Sequence, residues 1–277
     1  MARFWPASMT FMRLLVLTVL CTLLAGGAWA EIGLTPLRQV LDEETRVVTY
    51  RVSNPSQRIV EGRVSWADLT ATERGYAQAT IEAREKMSAA PYLKVWPAHF
   101  RLQPGANTTI TVALRDGADL PDGERRSHLV IETSAARTPL RKAGGNLEAD
   151  IGIGVSTPVI LRFGTGQAAA KIGETRLLRT PEGLLEIETH VEPQGEFSAY
   201  GRIDVLLTRA GDQTARPALL TRLDNVAAYV DAPRRRASLP LTVDHLPAGT
   251  LEIRYVGGAE YDGKTFARRA FELAPPG

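Results

Sequence analysis

The chain has 277 residues, with 33 lysine and arginine residues against 31 aspartate and glutamate residues. The first 30 residues hold two arginines and no acid, so residues 31–277 are balanced at 31 basic and 31 acidic residues (33 − 2 against 31). This neutrality argues against nucleic acid or a membrane surface as a partner. The single cysteine, Cys21, also lies in those 30 residues, which excludes thiol catalysis, redox chemistry and cysteine-based zinc sites from the remainder.

Residues 1–30 have the pattern of a secretory signal peptide. Arg3 and Arg13 form a basic start, Leu14–Leu24 is apolar, and Ala28–Ala30 is a small-residue cleavage site. The apolar run is too short for a membrane-spanning helix. We therefore predict a secreted protein with no membrane insertion after cleavage. The remaining 247 residues (277 − 30) are enough for two domains.

The first half of this remainder reads as short β-strands separated by turns. Alternation of apolar and polar residues predicts strands at Val47–Ser53, Ile59–Trp66, Ile110–Leu114 and around Leu129–Ile131. Turn residues lie between them, as in Asn54-Pro55-Ser56, Pro104-Gly105 and Pro121-Asp122-Gly123. Thr80–Ser88 is either a helix or a surface loop. Several short strands at this spacing indicate a sandwich.

The longest alternation runs from Leu147 to Phe163, far beyond a typical strand of about 5–6 residues. Alternate side chains of a strand share a face, so Ile151, Ile153 and Val155 lie in one register with Val159. We expect the later residues to fill the core of their own domain. The earlier apolar residues either do the same or are covered by a partner chain.

Gly164-Thr165-Gly166-Gln167 interrupts the pattern, and we place a domain boundary there, giving domains at 31–166 and 167–277. Seven further strands are predicted, at Lys171–Leu178, Leu184–Val191, Tyr200–Thr208, Val226–Val230, Leu239–Val243, Leu251–Val256 and Phe266–Leu273. The predicted fold is all-β, with two sandwich domains in tandem.

The segment Thr35–Phe163 resembles the periplasmic chaperones of the chaperone–usher pilus pathway, in a divergent branch. Four pieces occur in that family's order. They are TPLRQVLDEETRVVTYRVSNPS, VWPAHFRLQPGANTTITVAL, LPDGERRSHLVIET and IGIGVSTPVILRF. The second half resembles the family less closely.

The resemblance implies two immunoglobulin-like domains in a boomerang arrangement. It implies a protein that binds incomplete pilus or fimbrial subunits by lending them its long strand, and that delivers them to an outer-membrane usher. A donated strand supplies backbone hydrogen bonds and alternate side chains to the subunit. No enzymatic activity, ATP, cofactor or metal is implied.

The resemblance also implies roles for particular residues. Arg38 matches an arginine that binds the subunit's C-terminal carboxylate, a role that suits a guanidinium because it grips a carboxylate with two hydrogen bonds. The donated strand is represented by Leu147, Ala149, Ile151, Ile153 and Val155. The family's second anchor, a lysine, has no counterpart, because Ile151–Leu161 contains neither lysine nor arginine and its place falls near Pro158. A proline there suggests an edge or a bulge.

Plainer interpretations stand beside these. Arg38 is otherwise a surface arginine, and Ile151, Ile153 and Val155 are otherwise ordinary core. Glu124–Arg126 is either a structural ion pair or a solvated turn, and we expect Arg234–Arg236 to cap a solvated turn.

A different class of function is a structural or adhesive envelope protein that captures no subunit. An enzyme has little support. His99, His128, His190 and His245 lack the spacing of a metal site. The sequence also contains no Gly-x-Ser-x-Gly.

Overall fold

The structure, a computed structural model, describes residues 32–135, 153–211 and 216–274, and for Ala135 and Ile153 it describes the backbone. No helix in these ranges is long and apolar enough to cross a membrane. The first half contains the strands β1 (Gly33–Thr35), β2 (Gln39–Leu41), β3 (Val47–Ser53), β4 (Val60–Ala67), β5 (Leu69–Thr72), β6 (Gly75–Gln78), β7 (Leu93–Trp96), β8 (His99–Leu102), β9 (Asn107–Leu114), β10 (Gly123–Ala135) and β11 (Ile153–Phe163). The second half contains β12 (Ala170–Arg179), β13 (Leu185–Pro193), β14 (Ala199–Arg209), β15 (Ala218–Ala228), β16 (Arg235–Pro240), β17 (Gly249–Gly257) and β18 (Thr265–Leu273).

Two sheets form the first sandwich, in the strand orders β1-β3-β9-β7 and β2-β11-β10-β4-β8. Their inward side chains alternate with exposed ones, as β3 shows by burying Val48, Tyr50 and Val52. These side chains meet fully buried residues of the facing sheet, among them Leu129 and Ile131. The period-two pattern of the sequence therefore becomes the two inner faces of one core.

A second pair of sheets, β12-β13-β16 and β15-β14-β17-β18, encloses a separate core. Ile187 and Leu239 lie on one sheet, and Val205, Ile253 and Tyr255 lie on the other. The buried residues of the first core end at Phe163, and those of the second begin at Ala170. The prediction of an all-β chain with two sandwiches in tandem is confirmed.

Residues Ile81–Met87 form a helix, α1, which decides between the two interpretations of Thr80–Ser88. Thr80 begins it as the N-cap, because its hydroxyl accepts a hydrogen bond of 3.2 Å from the amide of Ala83. Buried polar groups hold the end of α1 to β10. The Ser127 hydroxyl donates to the Asp68 carboxylate at 2.6 Å and accepts from the amide of Ala89 at 2.9 Å.

The hairpin of β5 and β6 forms a small sheet of its own. It reaches the second sandwich, where the carbonyl of Glu73 accepts a hydrogen bond of 2.8 Å from the amide of Arg236. The two sandwiches therefore contact each other through this hairpin as well as at the cleft described next.

Candidate functional site

The two edges of β11 are paired unequally. On one edge β10 pairs with it in unbroken antiparallel register from Ile153 to Phe163. On the other edge β2 runs parallel to it and pairs only with Val159–Leu161. No strand among the described residues pairs with that second edge at residues 153–158. An unpaired edge presents backbone N–H and C=O groups to a further strand.

Side chains of the open segment keep the predicted alternation. Val155 is partly buried and packs against the first core, and Thr157 is buried on the same face. Gly154 and Ser156 are exposed on the opposite face. At Val155 the ordinary-core interpretation therefore holds for the side chain, while the backbone edge beside it stays open.

The remaining predicted donor positions are less fully described. Ile153 begins β11, and its backbone pairs with Thr133. Leu147, Ala149 and Ile151 lie outside the described residues. Their roles stay predictions.

Pro158 lies where the open part of the edge meets the part that β2 covers. It pairs opposite His128 without a shift in register, so β11 has no bulge there. Its carbonyl accepts a long hydrogen bond of 3.4 Å from the Tyr50 hydroxyl. Proline has no N–H, so it offers no backbone donor at this boundary.

Arg38 immediately precedes β2 and points into the cleft between the sandwiches. Its two terminal nitrogens donate to both carboxylate oxygens of Glu260, at 2.6 and 2.7 Å. The guanidinium also lies over the ring of Tyr200, with 4.5 Å between the guanidinium carbon and the ring centroid. The Arg38 side chain is only 6% exposed, so its interpretation as a surface arginine is wrong.

Arg162 at the end of β11 contacts the same carboxylate. Its Nη1 donates to Glu260 Oε1 at 2.6 Å, and its Nε donates to Glu124 Oε2 at 2.8 Å. Glu124 in turn accepts a hydrogen bond of 2.9 Å from the amide of Ser198 in the second sandwich. Because the Arg162 and Glu124 side chains are only 7% and 2% exposed, Glu124 belongs to a buried ion pair and not to a solvated turn.

These contacts determine the protonation of Glu260. Burial alone would raise the pKa of its carboxyl group, but the hydrogen bonds from Arg38 and the charges of Arg38 and Arg162 lower it below its ordinary value. Glu260 is therefore an ionised carboxylate held by two guanidinium groups.

A second cluster joins β10 to the second sandwich. Arg126 donates to both carboxylate oxygens of Asp231, at 3.0 and 2.8 Å, and lies 3.8 Å from the ring centroid of Tyr229. Asp231 also accepts from the amide of Ala71 in the β5–β6 hairpin at 2.8 Å. Arg126 is thus a structural ion-pair residue. Arg234 follows the turn before β16 and pairs with Glu73 of the same hairpin at 2.5 Å, and both side chains stay exposed, as a solvated turn predicts.

His128 is buried beside this cluster, with its ring edge-on to Tyr76 at a centroid distance of 4.6 Å. Neither ring nitrogen has a hydrogen-bond partner in the part of the chain that the structure describes. Burial, together with the neighbouring charge of Arg126, lowers the pKa of His128 to about 4. His128 is therefore a neutral structural histidine.

Sequence reasoning identified Arg38 and the long strand but missed Glu260, Ser198 and Asp231. Each of these lies in or beside a turn of the second half, and a single acidic or hydroxyl residue in a turn gives no sequence signal. The charged run Glu124–Arg126, within the piece LPDGERRSHLVIET, was the sequence pointer to Glu124 and Arg126.

No protein-family model and no curated protein matches the chain. Similar solved structures exist. The YadV chaperone superposes with a TM-score of 0.44 at 10% identity, over 88% of this chain and 100% of that one. The Pseudomonas aeruginosa CupB2 chaperone gives 0.40 at 15% identity, over 87% and 98%. A chain of the Salmonella enterica SafA pilin complex with the SafB chaperone gives 0.43 at 17% identity, over 90% and 99%. These proteins are of the class that the sequence resembles.

Proposed function

We propose that the protein is a periplasmic chaperone that binds an incomplete pilus or fimbrial subunit, the client, along the open edge of β11. The observation that carries this proposal is the unequal pairing of β11, whose edge is covered by β2 at Val159–Leu161 only. A strand whose edge is only partly covered by its neighbour offers the uncovered part as a site for β-augmentation.

The position of β2 supports a direction for the bound strand. β2 runs parallel to β11 and begins with Gln39 opposite Val159. A client strand at residues 153–158 lies in line with β2 and, when parallel to β11, ends beside Arg38. Six residues of extended chain span about 20 Å, which is long enough for a typical strand.

The side chains support the same mode of binding. Leu147, Ala149, Ile151, Ile153 and Val155 are the alternate positions that enter a client's groove. Each fully buried isoleucine or valine contributes roughly 1.5–3 kcal/mol before the cost of association. Val155 also packs on the chaperone's own core, so the client's core continues that of the first sandwich.

Arg38 completes the proposed site as the group that binds the client's C-terminal carboxylate. Delivery to an outer-membrane usher, release of the client by strand exchange, and independence of enzymatic activity, ATP and cofactors are parts of the same proposal. We propose domains at 31–166 and 167–277 and a cleaved signal at 1–30.

The test is capture of a client from the native periplasm by a tagged protein, identified by mass spectrometry. The wild-type protein should retain a small β-rich subunit in a 1:1 complex. The double variant Ile151→Asp/Ile153→Asp should lose it while remaining folded. The matched control is Gly154→Asp/Ser156→Asp, which adds the same two negative charges to the exposed face of the neighbouring part of the strand. Retention of the client by the double variant contradicts the proposal.

A structural or adhesive envelope protein is the second candidate. It is favoured by the packing of Val155 in its own core and by the internal pairing of Arg38 with Glu260. In that case Ile151→Asp should unfold the first sandwich, and circular dichroism with thermal melting would show the loss.

A further inference from the structure

Glu260 occupies the position in the cleft where a carboxylate meets two guanidinium groups. Arg38 binds both of its oxygens, and Arg162 Nη1 binds Oε1 at 2.6 Å. Paired guanidinium donors around one carboxylate form a strong and geometrically specific anion site. The guanidinium group of Arg38 thus already holds a carboxylate, supplied by the chain itself.

The two carboxylates near Arg162 differ in accessibility. The Glu124 side chain is 2% exposed, and Ser198 holds it through its backbone amide and its hydroxyl. The Glu260 side chain is 29% exposed, and its side-chain partners are the two arginines. Solvent, and hence an incoming ligand, reaches Glu260 and not Glu124.

Charge balance allows an exchange. Arg38 and Arg162 carry two positive charges, which Glu124 and Glu260 neutralise. Withdrawal of Glu260 leaves one unpaired positive charge in a nearly buried site, and such a charge requires a new partner. One monovalent carboxylate restores the balance. In addition, Arg38 Nε is buried and has no hydrogen-bond partner among the described residues, so the guanidinium retains a spare donor.

The turn that carries Glu260 is in an unfavourable backbone conformation. Ala259 has a φ of 54°, in the left-handed region that residues with a Cβ rarely adopt. Such a conformation persists only when its surroundings stabilise it. The ion pairs of Glu260 with Arg38 and Arg162 are part of that stabilisation, so the turn is held in place by contacts that a competing carboxylate would break.

We propose that Glu260 is an internal competitor for the client's C-terminal carboxylate, and that Arg162 acts with Arg38 as the second anchor in place of the missing lysine. The inference rests on the proposed function. In the free protein Glu260 occupies both guanidinium groups. A client carboxylate displaces it. Because a client binds only molecules in which the site is open, its apparent affinity equals the intrinsic affinity multiplied by the open fraction.

The experiment measures binding of a synthetic peptide of four valine–threonine pairs, either with a free C-terminal carboxylate or with a C-terminal amide. The proteins are the full chain in its wild-type, Glu260→Gln, Arg38→Ala and Glu252→Gln forms. Glu252→Gln is the matched control, because Glu252 forms a similar pair with Arg254 away from the cleft. Glu260→Asp, which keeps the charge with a shorter reach, is a second variant, and thermal melting verifies folding.

The wild-type protein should prefer the carboxylate peptide to the amide peptide. Glu260→Gln should bind the carboxylate peptide about tenfold tighter and the amide peptide unchanged, as expected when the site is open in about a tenth of wild-type molecules. Glu260→Asp should give a smaller gain, Glu252→Gln no gain, and Arg38→Ala a loss of the preference.

Two results separate the proposals. If the wild-type protein prefers the carboxylate peptide but Glu260→Gln gives no gain, the internal competitor is refuted while the proposed function stands. If the wild-type and Glu260→Gln proteins bind neither peptide, or bind both equally, the carboxylate site itself is refuted. The proposed role of Arg38 in binding the client's C-terminal carboxylate then fails as well.

Discussion

The two halves of β11 differ although they belong to one continuous strand. Val159–Leu161 has a neighbour on both edges, and these residues are at most 2% exposed. Residues 153–158 have a described neighbour on one edge, and Gly154 and Ser156 are exposed. The same alternating pattern thus gives a closed sheet in one half and an open edge in the other. The length of β2 determines how much of the edge is covered, because β2 pairs with only three residues of β11.

The two halves should differ most in the loss of folding stability caused by an aspartate substitution in each. Leu161→Asp places a charge in the first core, where Leu161 is 2% exposed, and should cost more than about 4 kcal/mol and unfold the first sandwich. Val155→Asp, at a partly buried position on the same face, should leave the sandwich folded. Urea unfolding followed by circular dichroism measures both, and equal losses of stability would abolish the distinction.

Glu124→Gln tests the closed end of the strand. It removes the carboxylate that pairs with Arg162 in a buried site, and breaking such a pair typically costs about 3–5 kcal/mol. We expect a loss near the lower end, because Arg162 keeps its contact with Glu260. Differential scanning calorimetry should show a lowered melting temperature. An unchanged melting temperature would mean that the pair contributes nothing to stability.

His128 lies opposite Pro158, at the boundary between the halves, and its pKa predicts a pH dependence. The folded protein favours neutral His128 down to a pKa of about 4, whereas the unfolded chain binds a proton below its ordinary pKa of 6.5. The unfolded state therefore binds more protons in this window, and stability falls as pH drops from 6.5 to 4, by up to about 1.4 kcal/mol per pH unit.

The variant His128→Gln should remove this contribution from the dependence of the free energy of unfolding on pH. Chemical unfolding at several pH values between 4 and 7 measures the slope for the wild-type protein and the variant. An identical slope in both would show that His128 is not held neutral.

Ser156→Asp should have the smallest effect on folding, within about 0.5 kcal/mol, because Ser156 is exposed on the outer face of the open half. Thermal melting provides the measurement. A large loss would indicate that another part of the chain covers this face.

Local patterns predicted strands such as β3 and β14 well, because a period of two specifies which face of a strand is buried without reference to the rest of the chain. The predictions at Val226–Val230 and Leu239–Val243 were displaced, because β15 spans Ala218–Ala228 and β16 spans Arg235–Pro240. The cleft could not be predicted in the same way. Arg38 and its partner Glu260 are 222 positions apart, and Arg126 and Asp231 are 105 positions apart. Such pairs depend on how the two sandwiches meet, and neither partner carries a local signal of the other.

The open edge illustrates the same limit within one domain. The sequence indicated that β11 is long, but the covered part of its edge depends on where β2 begins. That position is determined by tertiary pairing of Gln39–Leu41 with Val159–Leu161. Length alone was therefore insufficient to divide the strand into a closed and an open half.

The most direct test of the central claim is backbone amide hydrogen exchange of the protein alone and in complex with its captured client. We predict that the client slows exchange of the amides of residues 153–157 and of the preceding donor positions, while the amides of Val159–Leu161 are slow in both states. Unchanged exchange at residues 153–157, with protection elsewhere, would contradict the claim that the open edge of β11 binds the client.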